Sequence, residues 1–328
     1  MGNSLSHKRS FKKKKDKGKN SLSVNDCSDS SSVKSYHSSN DNKFTTPVEI
    51  LDGRPYFSEE TYLYPVDWEE ADRIQLKHFM LKLTIGGNYT APLAKIIKPG
   101  SKILDIACGA GHWSFEMAQE FLNAEVYGVD ILAQFPSEIK PPNCHFTECN
   151  IKDGLPFDDN EFDYVFMRYL HLVMKEDQWI PLSNEINRVL KPGGFVESVE
   201  LDACPHSLGP VGNQLYKKLY EPLIELRGID LRFAPKIEST FRSAGFENVT
   251  SICKDIKLGK WGGKIGELWA SNFKASLTSL RPVLTPIAKM TKKEWDSDIE
   301  TIANKEFDLY SSYSILYISL GTKRRTQG

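Results

Sequence analysis

Apolar and polar positions along the chain fall into three regimes. Residues 1–45 are rich in Ser, Asn, Asp and Lys, with few apolar residues and neither a two-residue nor a 3.6-residue period. Such a segment buries too little surface to offset the entropy of ordering it, which predicts a disordered tail. The aromatic residues Tyr62, Tyr64 and Trp68 precede an amphipathic helix expected to start near Asp67. From Ser101 onward, short apolar runs alternate with helical periodicities, the pattern of a largely parallel sheet with helices on both faces. KILDIA (102–107) reads as a buried strand, CGAG (108–111) as a turn, and HWSFEMAQEFL (112–122) as a helix with Phe115, Ala118 and Leu122 on one face. AEVYGVD, CHFTE, FDYVFMR and FVESVEL are expected as further strands, and a helix is expected to stop at VLKPGG, where Pro192 and two glycines follow.

No apolar run approaches the ~20 residues a membrane-spanning helix needs. The six cysteines (Cys27, Cys108, Cys144, Cys149, Cys204, Cys253) form no CxxC pair and no metal-ligand spacing, so no metal site is expected. With no signal-peptide core, this points to reduced thiols in the cytoplasm, the nucleus being the alternative. Charge is unevenly distributed. Residues 8–19 hold eight Lys/Arg and one Asp, +7 locally, against −1 for the whole chain, so everything after Lys19 sums to −8. A mildly acidic body argues against a broad nucleic-acid-binding face. The head begins Met-Gly-Asn-Ser-Leu-Ser, which fits N-myristoylation at Gly2. One acyl chain holds a protein to a bilayer only marginally, and the basic cluster from Lys8 supplies the second signal, so peripheral membrane contact through residues 2–19 is expected.

The turn after the first core strand carries the most chemistry. Gly109 and Gly111 let backbone pass tightly and approach a ligand at a strand's carboxyl end. Asp130, at the end of the next strand, is placed to accept from ribose hydroxyls. Both a nicotinamide site and an S-adenosylmethionine (SAM) site have this form. Ser114 occupies the place of the third glycine in GxGxxG, and Asp105 brings an acid to the pocket, welcome beside a sulfonium or ammonium and unwelcome beside a diphosphate. SAM is therefore the expected cofactor.

The segments ILDIACGAGHWSFEMA, EVYGVDI, GLPFDDNEFDYVFMR and RVLKPGGFVESVELD resemble, in order and spacing, the motifs of class I SAM-dependent methyltransferases. The similarity is greatest to the fungal group of secondary-metabolism regulators and trans-aconitate-methyltransferase-like enzymes. It extends to YLYPVDWEEADRIQLKH upstream and to RSAGFENV and KWGGKIGELW downstream. The resemblance implies a Rossmann-like, doubly wound α/β fold with a seven-stranded sheet, its last two strands a hairpin at 248–257 and 314–322. The methyltransferase domain would span 46–328, with a core at 100–203 and a helical cover with the C-terminal strands at 204–328. Within the cover, 208–235 and 261–308 are expected over the acceptor pocket. The resemblance also implies that Asp105, Ala107, Gly109 and Gly111 surround the methionine part of SAM, that Asp130 holds the ribose, and that Asn150 and Ile151 flank the adenine. Tyr64 would cover the cofactor. Family members often carry Asp where this chain has Asn150, which implies weaker binding.

Methyl transfer from a sulfonium is a direct displacement, so the protein contributes alignment and exclusion of water, and a base only where the acceptor is protonated. His171 is the first candidate base, with Glu200 and His206 next; a structural hydrogen-bonding role is the ordinary alternative for each. Arg168 is placed to hold an acceptor carboxylate or to pair with a protein carboxylate. Glu197 and Glu200, three apart on a strand, face opposite sides. No [DN]PP[YF] follows the fourth strand, which speaks against nucleobase amino groups as acceptors. The expectation is methyl transfer to a small molecule, with O-methylation of a carboxylate or hydroxyl favoured. The alternatives are a membrane-tethered SAM-binding regulator without turnover and, less favoured, a nicotinamide-dependent oxidoreductase.

Overall fold

The computed structural model describes residues 48–57 and 62–325. Gly2 and the basic head lie outside them. The described chain opens with a hairpin not anticipated from sequence, β1 (Val48–Leu51) and β2 (Arg54–Phe57), whose turn residues Asp52 and Gly53 both have positive φ. That is the turn geometry that matches strand twist, and Asp-Gly supplies it at least cost. Helix α1 (Trp68–Ile85) follows, capped by Asp67, whose carboxylate accepts from the Glu70 backbone N–H at 3.0 Å, and closed by left-handed Gly86. Asp67 also accepts two hydrogen bonds from Arg54 at 2.6 and 2.7 Å, fixing the hairpin to the start of the helix.

The core then runs α2 (Leu93–Ile96), β3 (Lys102–Ile106), α3 (His112–Glu120), β4 (Glu125–Asp130), β5 (Cys144–Glu148), β6 (Phe162–Arg168), α4 (Trp179–Val189), β7 (Leu190–Leu201), α5 (Pro210–Arg227), α6 (Ile237–Ser243), β8 (Glu247–Lys257), α7 (Gly263–Ala288), α8 (Lys292–Thr301) and β9 (Tyr313–Thr322). Seven strands form one sheet in the order β5-β4-β3-β6-β7-β9-β8. The first five are parallel, and β9 runs antiparallel to both its neighbours. The expected terminal strand pair is present, although α7 and α8 intervene between its members. The stretch expected to be a helix stop, LKPGG, is itself extended. α4 ends at Val189 and β7 begins at Leu190, which pairs with Phe162 before a register shift around left-handed Gly193. A flexible Gly pair permits that bulge without ending the strand.

Alternation along the strands assigns each side chain to a face. Leu104, Ile106, Val165 and Met167 join α4 and α6 in one apolar cluster, around Trp179 and Phe241. Ile103, Phe166 and Val199 join α3 and the helical cover in the other, where Trp113 stacks on Phe166 at 4.1 Å between ring centroids. Connections wind outward in opposite directions from β3 and β6. The carboxyl ends of these two strands therefore flank the topological switch point, where an open α/β sheet leaves a ligand crevice. Among the described residues no helix is long and apolar enough to cross a membrane, and no group of three or more His, Cys, Asp or Glu could hold a metal ion.

Candidate active site

A cavity of about 250 Å³ opens at that switch point. Ala107, Gly109, Asp130, Asn150 and Ile151, at or just beyond the ends of β3, β4 and β5, line its sheet side together with Arg168, Tyr169 and His171. Tyr62, Tyr64 and the inner face of α1 close a second side, and Tyr216, Leu219 and Leu223 of α5 with Trp269, Phe273 and Leu277 of α7 form a largely apolar roof. The two cover segments expected over the pocket both contribute to it. Trp68, by contrast, is 88% exposed and takes no part.

The glycine turn separates into two roles. Ala107, Gly109 and Gly111 all have positive φ, at 55°, 55° and 79°. A Cβ on Gly109 would meet nothing within 4 Å, so its bareness leaves room on the cavity side. A Cβ on Gly111 would lie 2.6 Å from the Phe146 ring, and Gly111 does not line the cavity. Its lack of a side chain makes room for the Phe146 ring of β5. Asp130 ties the turn down. Its carboxylate accepts from Gly109 N at 2.8 Å and from Leu132 N at 2.9 Å, while burial pushes its pKa up against these bonds. A carboxylate has about four acceptor positions, so Asp130 keeps capacity for a ligand hydroxyl. Asn150 Oδ1 accepts from Lys152 N at 3.2 Å, leaving one lone pair of that carbonyl and the amide N–H₂.

Asp105 is also placed differently from expectation. It shares a strand face with Ile103, the face covered by α3, so it is 1% exposed and does not line the cavity. Its Oδ2 accepts from Ser114 Oγ at 2.6 Å, on the residue that replaces the third glycine. Burial pushes the Asp105 pKa up to about 7, with Arg168 and the Ser114 hydroxyl pulling the other way.

The turn after β6 is organised by Glu200. It is 1% exposed, does not line the cavity, and accepts from Leu170 N at 3.0 Å, His171 N at 3.2 Å and His171 Nδ1 at 2.9 Å. Three donors on one carboxylate hold the turn after β6, where Tyr169 is left-handed at φ 60°. The Glu200 carboxylate is thus spent on hydrogen bonds that hold this turn. With Nδ1–H committed to Glu200, the favoured tautomer leaves Nε2 of His171 as the basic nitrogen. Glu197, on the opposite face as expected, accepts from Thr90 N, Thr90 Oγ1, Ala91 N and Tyr164 Oη. His206 pairs with Asp202 at 3.0 Å, stacks on Tyr313 and does not line the cavity. Arg168 lines the cavity but donates to His78 Nδ1 at 3.1 Å, and burial lowers its pKa. His78, in turn, is held down to about 4 by burial and by Arg168.

Sequence reasoning missed the polar stripe of α1. Glu70, Arg73 and Lys77 occupy the inner face of that helix. Arg73 pairs with Glu70, donates to Asn272 Oδ1 at 3.1 Å and lies 4.8 Å from the centroid of the Tyr64 ring, whose hydroxyl meets Ser276 Oγ at 2.7 Å. Lys77 Nζ lies 3.6 Å from the centroid of the Tyr169 ring. A signal was available: Ile74, Lys77 and Leu81 fall at i, i+3 and i+7, so a lysine stands where the apolar stripe calls for an apolar residue.

The free space at Gly109, the remaining acceptor capacity of Asp130 and the aromatic wall of Tyr62 and Tyr64 fit a SAM-sized cation with a ribose. The Methyltransferase domain family matches residues 103–194. The secondary metabolism regulator LAE1 of Cochliobolus heterostrophus is 33% identical over 221 residues, 64% of this chain and 70% of that protein. Secondary metabolism regulator laeA of Coprinopsis cinerea is 34% identical over 152 residues, 44% of this chain and 37% of that protein. Methyltransferase cpsF of Aspergillus campestris is 22% identical over 288 residues, 79% of this chain and 98% of that protein. The chain belongs to the LaeA-like group of class I SAM-dependent methyltransferases.

Proposed function

We propose that this methyltransferase acts on a small molecule with an apolar body, methylating a hydroxyl or carboxylate oxygen. The supporting observation is the continuity of the cavity: the strand-end residues that fit the cofactor and the apolar roof of α5 and α7 enclose one space. SAM supplies the electrophilic methyl group. Asp130 and Asn150 hold and orient, Gly109 leaves the space, and the roof excludes water, which strengthens polar interactions inside. Where the acceptor is a hydroxyl, His171 Nε2 takes its proton, with Glu200 fixing ring and tautomer. A nucleic acid is disfavoured by the acidic body. Calorimetric titration of SAM into the protein and into an Asp130→Ala variant tests the cofactor half. Micromolar binding lost in the variant is expected, and a folded wild-type protein that binds no SAM overturns the reading.

Residues 2–19 are proposed to tether the enzyme to the inner face of an anionic membrane through myristoyl-Gly2 and the basic cluster. A second reading, a SAM-binding regulator without turnover, draws on the names of two relatives. Tight SAM binding with no methyl transfer across a broad panel of apolar acids and phenols would favour it.

A further inference from the structure

Three cationic residues on α1 and β6 face the cavity, and their charges are accounted for differently. Arg73 is neutralised by Glu70 and anchored to Asn272. Arg168 donates to His78 and interacts electrostatically with Asp105. Lys77 has the face of the Tyr169 ring at 3.6 Å, and among the described residues no carboxylate pairs with it. Resting on the methyltransferase reading above, we propose that Lys77 is the subsite for the anionic end of the acceptor, so that the cavity takes an amphipathic organic acid: a carboxylate or comparable oxyanion against Lys77, and an apolar body under α5 and α7.

Several observations converge on this assignment. A cation left inside an apolar enclosure is costly unless an opposite charge joins it. The cost is visible here, since burial, with repulsion from Arg73 and Arg168, lowers the Lys77 pKa well below the ordinary lysine value while Glu70 and Glu200 offset it only in part. An acid entering the cavity brings the missing counter-charge and favours the ammonium form. The position also fits the chemistry. Tyr169, beneath Lys77, adopts the left-handed conformation at φ 60°, a strained backbone for a bulky residue, and its ring lies 5.7 Å from that of His171. The turn that Glu200 holds in place therefore carries His171 and the aromatic rest for Lys77 together. Beyond them, Leu219, Leu223 and Leu277 supply an apolar surface for the rest of the molecule. A charge-assisted contact of this kind, in a dry site, is worth roughly 10- to 150-fold in affinity.

The test uses the full chain saturated with S-adenosylhomocysteine and two probes of equal length, decanoate and decanamide, titrated by calorimetry. Wild-type protein is expected to bind decanoate at least about ten-fold more tightly than decanamide. Lys77→Met should abolish that preference while leaving decanamide binding as it was, and Lys77→Arg should restore part of it. S-adenosylhomocysteine affinity should be the same in all three proteins. Equal binding of the two probes by the wild type, a preference that survives Lys77→Met, or no binding of either probe overturns the proposal. Failure of S-adenosylhomocysteine to bind the wild type would instead overturn the cofactor reading, and is seen in a separate titration before either probe is added.

Discussion

Asp105 offers the sharpest quantitative check on the site's electrostatics. Its carboxyl is 1% exposed, and burial raises its pKa from the ordinary 3.8 to about 7. The sign follows from linkage: the folded state binds the proton more tightly than the unfolded chain. The contribution to stability is fully present below pH 3.8 and is lost progressively as pH rises towards and through about 7. A shift from 3.8 to about 7, at 1.36 kcal/mol per unit, amounts to about 4 kcal/mol in all, of which about 3 kcal/mol falls between pH 5 and pH 8. Asp105→Asn keeps an oxygen to accept from Ser114 and removes the titration. Urea denaturation of the two proteins at pH 5, 6, 7 and 8 should show the variant gaining on the wild type by about 3 kcal/mol across that range. Parallel stability curves would refute the reasoning, because they would mean that Asp105 is ionised in the folded protein at neutral pH and that Arg168, not burial, governs it.

Other expectations follow from the same geometry. Gly111→Ala should cost about 1–3 kcal/mol of stability through its clash with Phe146 and leave S-adenosylhomocysteine affinity within a few-fold. Gly109→Ala should cost only about 1 kcal/mol but weaken that affinity ten-fold or more, since its Cβ enters the cavity; calorimetry and denaturation of the pair would expose a reversed pattern at once. Glu200→Gln turns an amide N–H₂ towards donors that now meet a carboxylate, and should destabilise by about 3 kcal/mol with a lowered Tm but unchanged S-adenosylhomocysteine binding; an unchanged Tm would remove its positioning role. For the head, sedimentation with phosphatidylserine vesicles should carry down N-myristoylated full-length protein and not a Gly2→Ala form, and equal partitioning of the two would end the tether proposal.

What sequence could and could not give follows from the range of the forces involved. Strands β3 to β7 and the turn at Gly109 are written in local periodicity and in residues with few conformational alternatives, so they stood out. Glu197 and Glu200 were separable because strand alternation is a local rule. The partners of Asp105 and Gly111, Ser114 on α3 and Phe146 on β5, could not be read from local pattern, because only tertiary packing reveals them. Lys77 was overlooked because a lysine on an amphipathic helix is ordinarily solvated, and it becomes interior only when α1 folds over the strand ends. The β1–β2 hairpin was missed for a related reason. Its four-residue strands are too short to show a period, and they are held by Asp67 and by Ser279 on α7, whose carbonyl accepts from Tyr56 Oη at 2.6 Å.

The α7–α8 segment leaves and rejoins the sheet at almost one point: Leu258 N donates to Ser312 O at 2.9 Å, and the Trp261 indole N–H reaches the carbonyls of both residues. A loop whose ends already touch adds little closure entropy as it lengthens, since each doubling costs only about 0.6 kcal/mol. The α7 half of the roof is thus attached to the sheet like a cassette, and it can be lengthened, shortened or resurfaced while β3, β4 and the glycine turn stay unchanged. Selection on which molecule is methylated can then proceed almost independently of selection on where the methyl group comes from.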